Sequence, residues 1–518
     1  MVEDPNKKSL SVNSSAIFSA AIGNTLFGII LALFQIIIVA VQSRVLEPSD
    51  FGVFALANTF LVIVMHISQR GLVTAMVTDS KFREERIHLW YSSCILLSLI
   101  SIILISLISA IIFSLSDSAG QKSSAAILCF MSLPLLTQIM MSPALAARQR
   151  KMAFLSINLV ALFGMAVGNG LIGISFALMG FGPWSLAFGA AVNACIACFI
   201  YTFLERESVG FKIKNSELLK LIGDAASFNG LRVLDIAWLQ LPVIFFGFSQ
   251  PMSVVGLYHR AQMLADLAIQ TSVWRVSSVL YASKSQSILK GRVNASEYFS
   301  DTMVLATLSA PISVFLFVAR ESIVITLLGA DWIGTADIFG WLSIGFGAAT
   351  LMHAAGIAFE HARIMRPRYL TASLQLFAVS VLLFFVVFFE IQERIWILAM
   401  PALCSIALGF VVINIFICRQ IDFSIKDFII LRPGIIWSLS TGAGAWAGKI
   451  FSNSFEIHSQ FSILGIQLGL AAVANLIVLR LVVSMPEFSA FADFLEQRFP
   501  LIWRATRILH GRVEQRGN

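Results

Sequence analysis

Charged residues are scarce in this chain of 518 residues. Asp, Glu, Lys and Arg together make up 13% of it, whereas an average soluble domain carries about 25%. Hydrophobic residues make up 58%, and the mean hydropathy is +0.85. Too few polar residues are present to cover the surface of soluble domains. The composition therefore excludes soluble enzymes, nucleic-acid binders and secreted scaffolds held by disulfides.

Metal-binding and catalytic motifs are also missing. All six Cys fall within apolar stretches, and the close pair Cys195 and Cys198 has neither a second pair nor a nearby His. Since a zinc site needs several such ligands, we interpret the cysteines as packing residues and predict no metal. A membrane polymerase or glycosyltransferase would need a large external loop or an acidic metal–nucleotide motif. We find neither, so we predict that the protein is not an enzyme and has no cofactor.

Long apolar stretches run along the whole chain instead. A transmembrane helix needs about 20 apolar residues, and uncharged stretches of that length recur throughout. Turn signals at Gly180-Phe181-Gly182-Pro183 and at Gln250-Pro251 divide two stretches that are too long for one span. The pattern predicts an all-α polytopic membrane protein with about 14 transmembrane helices.

Lys and Arg are distributed unevenly among the loops. Most of the 36 Lys and Arg residues fall in alternate loops, on the same side as the N-terminus. The positive-inside rule then predicts cytoplasmic N- and C-termini. We expect the net charge of +7 to face anionic membrane lipids rather than nucleic acid.

Two of the predicted helices begin with the same residue pattern. Residues 48–57 and 251–261 both read proline, a short gap, glycine, an aliphatic residue, an aromatic residue and, three positions on, alanine. Gly52 and Gly256 at these points allow backbones to approach closely. The repeat predicts two six-helix lobes, and transporters built from repeats bind substrate between them. The predicted parts are an N-terminal lobe at 1–220, a C-terminal lobe at 221–432, two additional helices at 433–483 and a basic amphipathic cytoplasmic tail at 484–518.

Several short motifs of the sequence resemble those of the polysaccharide flippases of the multidrug/oligosaccharidyl-lipid/polysaccharide exporter superfamily. Leu46–Gly52 fits the family pattern leucine-x-proline-x-aspartate-phenylalanine-glycine. Gln69-Arg70-Gly71-Leu72 departs from the family's aspartate-leucine-glycine-leucine by carrying an Arg and no acid. Asp235 with Gly256-Leu257-Tyr258 resembles the seventh and eighth helices, and Gly329–Trp332 resembles a motif before helix ten. The resemblance covers about residues 15–390.

The resemblance implies a function in a bacterial inner membrane. Such a protein flips polyprenyl-diphosphate-linked oligosaccharide repeat units from the cytoplasmic to the periplasmic leaflet for exopolysaccharide or O-antigen synthesis. The family implies a monomer that works beside a polysaccharide polymerase or export complex. A peptidoglycan-precursor flippase and a drug/cation antiporter of the same superfamily remain as alternatives.

Four arginines fall inside predicted spans, where each costs about 2.5–3.5 kcal/mol at the bilayer centre. We therefore expect them to line a wet cavity, where guanidinium groups match the geometry of a diphosphate. A polar stripe with a spacing of four residues, from Tyr258 to Trp274, marks a face turned from lipid. The predicted substrate-binding residues are Arg70, Arg232, Arg260, Arg275, Gln262, Gln270 and Trp274.

Plainer interpretations exist for the same charges. Arg70, Arg260 and Arg275 could snorkel to the headgroups, and Arg232 could neutralise Asp235, three residues away on the same helix face. Proton or sodium coupling has candidates in the acids and histidines near or within the spans, although a membrane His is more often a packing residue. The ion-coupling candidates are Asp235, Asp266, His353 and Glu360.

Overall fold

The structure, a computed structural model, is helical throughout its long segments and contains no β-strand in the residues it describes. The predicted all-α fold is confirmed. The described residues are 14–78, 87–151, 153–205, 230–269, 276, 293, 295–389, 395–420, 432–455 and 459–483.

Ten helices in the described part of the chain are long and apolar enough to cross a membrane. Two shorter apolar helices, Phe27–Ser43 and Gln460–Asn475, accompany them. Large apolar side chains are exposed along the spans; Ile103 is 68% and Phe377 is 67% exposed. Extensive apolar surface is a liability in water but suits a lipid environment. The chain is a multi-pass membrane protein.

The chain divides into two compact units, unit 1 at Met1–Gly256 and unit 2 at Leu257–Asn518. Unit 1 contains eleven described helices and the first turn of a twelfth. The helices are α1 (Ser14–Ser43), α2 (Pro48–Met65), α3 (Gly71–Thr78), α4 (Ile87–Leu115), α5 (Ala119–Phe130), α6 (Ser132–Met140), α7 (Ser142–Arg150), α8 (Phe154–Met165), α9 (Gly173–Leu178), α10 (Pro183–Leu204), α11 (Gly230–Ser249) and α12 (Met252–Ile269).

Both predicted helix breaks in unit 1 are confirmed. Residues 180–183 separate α9 from α10, and Gln250-Pro251 separates α11 from α12. Gly180 and Gly182 adopt φ angles of +82° and +52°, in the left-handed region that glycine tolerates. Pro183 then occupies the first turn of α10, where its missing N–H is not needed.

Two π-helical segments interrupt spans of unit 1 that the sequence predicts to be regular. His66–Arg70 lies between α2 and α3, and Ala166–Ile172 lies between α8 and α9. A π turn takes one more residue than an α turn and displaces the backbone carbonyls. In the second segment Gln42 Nε2 donates to the carbonyl oxygen of Asn169 at 3.2 Å, so a neighbouring helix satisfies a carbonyl of the π segment.

Unit 2 continues α12 from Leu257 and ends, within the described residues, on a tight helical hairpin. A Cβ at Gly444 of α18 (Arg432–Ser454) would lie 2.7 Å from Ala471 Cα of α19 (Gln460–Val483). A Cβ at Gly442 would lie 2.8 Å from Val314 Cγ1 of α13 (Ala295–Val318). Small residues let membrane helices approach this closely. The remaining helices of unit 2 are α13 (Ala295–Val318), α14 (Arg320–Leu327), α15 (Ile333–His361), α16 (Arg366–Phe388), α17 (Met400–Cys418), α18 (Arg432–Ser454) and α19 (Gln460–Val483).

An exposed ion pair also joins the hairpin to the rest of unit 2. Lys449 Nζ of α18 lies 2.8 Å from Glu321 Oε2 of α14. The side chains are 38% and 44% exposed, respectively. An ion pair this accessible contributes at most about 1 kcal/mol to stability, so the packing of small residues dominates the attachment.

Candidate functional site

The two glycines of the sequence repeat meet in unit 1. A Cβ built on Gly52 would overlap the carbonyl oxygen of Met252, and a Cβ built on Gly256 would overlap the carbonyl oxygen of Pro48. The first turns of α2 and α12 therefore touch backbone to backbone. The predicted close approach at these glycines is confirmed, and any larger residue would have to push the helices apart.

The contact continues along one face of α2. Leu56 packs against Gly247 of α11, where a Cβ would lie 2.5 Å from Leu56 Cδ1. Thr59 Oγ1 donates to Gln240 Oε1 at 3.2 Å. Gln121 of α5 supports the same region because its Nε2 donates to the carbonyl oxygen of Gly247 at 3.0 Å. We call the contact of residues 48–59 with residues 240–256 the glycine seam.

Arg70 closes the π-helical segment His66–Arg70 in unit 1, and its side chain lies outside the described part of the structure. The two residues before it are anchored. Ser68 Oγ lies 2.8 Å from Ser101 Oγ, and Gln69 Nε2 donates to the carbonyl oxygen of Gln138 at 2.7 Å. Hydrogen bonds to two other helices therefore hold the π segment in place next to Arg70.

Arg232 and Asp235 lie on α11, also in unit 1. Arg232 is exposed and Asp235 is half-buried. Asp235 takes part in a polar or electrostatic interaction. The ion pair with Asp235 that was considered as the plainer role of Arg232 stays a prediction. The spacing of three residues permits such a pair but does not enforce it.

The polar stripe of α12 is buried in unit 2 as far as it is described. Tyr258 is 1% exposed and Gln262 is 6% exposed, while Asp266 is half-buried. Arg260 is 5% exposed, and its Nη1 lies 3.1 Å from Met263 Sδ. The guanidinium is thus enclosed by protein and does not snorkel to an exposed position. The predicted residues Gln270, Trp274 and Arg275 lie outside the described residues.

The ion-coupling candidates of α15 are only partly accessible. Glu360 forms an ion pair with Arg368 of α16. The Arg368 guanidinium also packs on α15, where a Cβ at Gly356 would lie 3.2 Å from its Cζ. His353 is half-buried two turns earlier on the same helix. A relay from His353 to Glu360 would therefore have to compete with Arg368 for the carboxylate.

Sequence reasoning missed a buried acid at the end of α10. Glu205 is 5% exposed, and Lys151 Nζ lies 2.7 and 2.6 Å from its two carboxylate oxygens. Arg148 Nε lies 3.4 Å from Glu205 Oε1, and Arg148 Nη1 donates to Ser156 Oγ at 2.7 Å. We call Arg148, Lys151 and Glu205 the Glu205 clamp. Because the acid and its partners are far apart in the chain, no local spacing of residues predicts their contact.

The basic residues at the end of α7 contact groups of the protein itself. Arg150 Nη1 donates to the carbonyl oxygens of Met76 and Val77 at 3.2 and 2.9 Å. These are among the last carbonyls of α3, which have no partner within their own helix. Together with the clamp, this contact shows that Arg148, Arg150 and Lys151 all bond to protein groups.

A second missed acid is Asp301 of α13, which is 3% exposed. It lies where the sequence predicts the beginning of a span, and an acid at such a place is expected to face the membrane–water interface.

Across the described residues, no group of three or more His, Cys, Asp and Glu side chains could hold a metal ion.

The fold is similar to solved transporters of the superfamily suggested by the sequence motifs. The lipid II flippase MurJ in an inward closed conformation has a TM-score of 0.69 at 14% identity, covering 90% of this chain and 99% of that chain. An inward-facing multidrug resistance MATE family transporter has a TM-score of 0.57 at 11% identity, covering 77% and 98%. These similarities define the class: a helical membrane protein with the fold of multidrug/oligosaccharidyl-lipid/polysaccharide exporters.

Residues 41–337 match the family described as "Polysaccharide biosynthesis protein". The chain belongs to this family, as the motif at Leu46–Gly52 predicted. The succinoglycan biosynthesis transport protein ExoT of Rhizobium meliloti (strain 1021) is 23% identical over 316 residues, which are 61% of this chain and 63% of that protein. The match thus spans less than two thirds of the relative's length.

Proposed function

We propose that the protein flips polyprenyl-diphosphate-linked oligosaccharide repeat units from the cytoplasmic to the periplasmic leaflet. The product serves exopolysaccharide or O-antigen synthesis. Three findings support the proposal: membership of a polysaccharide biosynthesis family, a relative named for succinoglycan transport, and a fold similar to a lipid II flippase.

The observation that carries the proposal is the buried guanidinium of Arg260. A cation enclosed by protein on a helix with a polar face is costly in a membrane protein, and it is suited to an anionic cargo. Guanidinium stays charged and binds phosphate oxygens through paired donors. Gln262 on the same helix offers amide groups for sugar hydroxyls. The other members of the proposed site are Arg70, Arg232, Arg275, Gln270 and Trp274.

Transport proceeds by alternating access through a cationic central cavity. The sugar and diphosphate enter from the cytoplasm, while the polyprenyl tail stays in the bilayer. The headgroup leaves on the periplasmic side after a conformational change. An inside-negative membrane potential favours export of negative charge by about 2.3 kcal/mol per charge per 100 mV. Proton or sodium coupling through Asp235, Asp266, His353 or Glu360 would add to this driving force.

The proposed setting is the bacterial inner membrane with both termini in the cytoplasm. The distribution of Lys and Arg supports this orientation. The proposed partners are the lipid-linked glycan, membrane lipids and a polysaccharide polymerase or export complex. We propose that the transporter acts as a monomer beside that complex.

Peptidoglycan-precursor flipping is a second candidate function. It is favoured by the TM-score of 0.69 with the lipid II flippase, since that cargo also carries a diphosphate. A drug/cation antiporter would need an acidic cavity, and the buried Arg260 disfavours a cationic cargo.

Deletion of the gene tests the choice of cargo. We expect lipid-linked exopolysaccharide or O-antigen repeat units to accumulate on the cytoplasmic face, while cell-wall precursors remain at their normal level. Accumulation of the cell-wall precursor alone would support the second candidate instead.

Substitution of Arg260 tests the anionic site. Arg260→Gln should lower glycan export by roughly 10- to 100-fold, because a hydrogen bond to a charged group contributes about 1.5–3 kcal/mol. Arg260→Lys should retain part of the export because it keeps the charge. Lys449→Gln is the matched control, since Lys449 pairs with the exposed Glu321. Full export by Arg260→Gln, at normal protein level, would contradict the proposed role.

A further inference from the structure

Three aromatic rings of unit 2 pack in a row where helical segments begin or end. Phe317 lies at the end of α13, Trp341 lies on α15, and Trp396 lies in the 3₁₀ turn Ile395–Ala399 before α17. The ring centroids of Phe317 and Trp341 are 5.1 Å apart, and those of Trp341 and Trp396 are 6.3 Å apart. Each of the three residues is partly exposed. We call them the aromatic row.

An arginine is fixed against one end of the aromatic row. Arg320 Cζ lies 5.0 Å from the centroid of the Phe317 ring. Arg320 Nε donates to Asp337 Oδ1 at 3.0 Å, and its Nη1 donates to the carbonyl oxygen of Phe317 at 3.0 Å. Gly340 makes room for the arginine, since a Cβ there would lie 2.5 Å from Arg320 Cδ. The guanidinium is therefore held in one orientation, although the side chain is 25% exposed.

The charges beside the aromatic row balance one another. Arg320 pairs with Asp337, and Lys449 pairs with Glu321. The Asp337 side chain is 54% exposed, so its carboxylate can accept further hydrogen bonds, and the guanidinium has more donors than these contacts use. A donor group beside an acceptor group, with no net charge, suits a neutral ligand with many hydroxyls better than an anionic headgroup.

The aromatic row differs from a tryptophan that faces lipid. Trp446 of α18 is 61% exposed, as expected for a side chain that anchors a helix in the membrane. Trp341 and Trp396 are instead half-buried and lie against each other. Aromatic walls with a few placed polar groups are typical of small-molecule sites. A pyranose ring matches this arrangement, because its C–H face packs on an indole and its hydroxyls bond to the charged pair.

The aromatic row lies at the end of unit 2 where α12 begins. A Cβ at Gly334, near the start of α15, would lie 3.0 Å from Leu257 Cδ1 of α12 and 3.5 Å from Ile395 Cδ1. Ile395 directly precedes Trp396. The predicted orientation puts this end on the external side, because the loop that contains Arg320 is one of those with few Lys and Arg.

We propose that the aromatic row, together with Arg320 and Asp337, is an external saccharide-binding subsite of the transporter. One sugar ring stacks on Trp396 and Trp341, and its hydroxyls bond to Asp337 and Arg320. The proposal rests on the glycan cargo proposed above and adds the place where unit 2 holds the headgroup after it leaves Arg260. These contacts replace hydrogen bonds to water, so each adds little net affinity. The glycan can then pass on to the polymerising reaction that consumes it.

Binding of a soluble glycan tests the subsite without transport. The probe is the oligosaccharide repeat unit released by hydrolysis from the host's own exopolysaccharide. Saturation-transfer difference NMR measures its binding to the purified full-length protein in lipid nanodiscs. We expect Trp396→Ala to weaken binding roughly tenfold, the ratio given by about 1.4 kcal/mol. Trp396→Phe keeps a ring and should weaken it less.

Two further variants separate the subsite from general effects on the protein. Asp337→Asn should also weaken binding, since an amide oxygen accepts hydrogen bonds less strongly than a carboxylate. Trp446→Ala is the matched control, because it removes a tryptophan of the same unit that is 61% exposed, and it should bind the probe as the wild type does. Thermal unfolding of each variant shows whether its fold is retained.

A competition experiment distinguishes a sugar from a lipid headgroup. Glycerophosphoethanolamine, the soluble headgroup of a membrane lipid, should leave the bound oligosaccharide in place. Its displacement of the oligosaccharide would assign the aromatic row to lipid and overturn the proposal. Absence of oligosaccharide binding, or equal binding by the wild type and a folded Trp396→Ala variant, would overturn it as well.

The binding experiment and the gene deletion separate the two proposals. If Trp396→Ala weakens binding but the deletion leaves lipid-linked glycans unchanged, the subsite stands and the proposed cargo fails. If the deletion accumulates the glycan but the oligosaccharide ignores the aromatic row, the cargo stands and the subsite fails.

Discussion

The glycine seam and the Glu205 clamp hold helices of the same unit together by opposite means. The seam brings backbones into contact at Gly52 and Gly256, and a neutral hydrogen bond joins Thr59 to Gln240. The clamp joins its helices through a carboxylate, 5% exposed, with two cations around it. Helix direction places the two contacts at opposite ends of unit 1, since α2 begins at the seam and α10 ends at the clamp.

The comparison shows which of the two contacts in unit 1 costs more to break. Parting the seam exposes glycine backbone and a few amides, which water can solvate readily. Parting the clamp would strand a buried charge, which is far more expensive than losing a neutral contact.

Neutralising the clamp should have the largest effect on stability. Glu205→Gln removes the charge that Lys151 and Arg148 share, and we expect a loss of about 2–3 kcal/mol. This lies below the range of about 3–5 kcal/mol for fully buried pairs, because Lys151 is 42% exposed. Thermal unfolding of the purified protein measures the loss. An unchanged midpoint of thermal unfolding would mean that the clamp is no stronger than the seam, which would contradict the comparison.

Alanine at the two seam glycines should cost less in stability and should not be additive. Overpacking costs about 1–3 kcal/mol, and either Cβ alone already forces α2 and α12 apart. Once the helices are separated, the second substitution should add little, so a double-mutant cycle should show strong coupling. The measurement compares Gly52→Ala, Gly256→Ala and the double variant by thermal unfolding. Strictly additive losses would indicate that the two glycines do not share one contact.

Glu321→Gln should have the smallest effect and serves as the matched control for Glu205→Gln. Both acids pair with a lysine at similar distances, 2.8 Å for Glu321 and 2.6 Å for Glu205. Glu321 is 44% exposed, however, and exposed pairs contribute at most about 1 kcal/mol. We expect a barely measurable change in the unfolding midpoint, which added salt should reduce further. A loss as large as that of Glu205→Gln would show that burial does not decide the strength of these pairs.

Features with a local cause were predictable from the sequence. The break at residues 180–183 follows from two glycines with positive φ and a proline that starts the next helix. The close approach at Gly52 and Gly256 follows from a missing side chain in two copies of one pattern. The all-α membrane fold follows from composition and the length of the apolar stretches. Each of these inferences needs only the residues near the feature itself.

Features that depend on distant partners were not predictable. The Glu205 clamp joins residues 54 positions apart, and Arg150 finds carbonyls on a helix more than 70 positions away. The α-helical pattern gives no sign of the π segment His66–Arg70, because π turns form where neighbouring helices accommodate the extra residue. In the candidate site, spacing placed Arg232 beside Asp235 but could not decide whether they pair.

The π segment makes the number of residues in the second span as important as their identity. The glycine contact holds one end of the span. Arg150 holds the other end because it donates hydrogen bonds to the carbonyl oxygens of Met76 and Val77. Removing one residue between His66 and Arg70 would turn the π segment into ordinary α-helix and keep the span apolar. Because the wider π turn already takes up the extra residue, this deletion would leave α3 facing nearly as it does now. A deletion in the regular α-helix on either side would instead rotate α3 by about 100°, so both ends could not stay attached at once. Loss of one residue is therefore more tolerable within the π segment than elsewhere in the span.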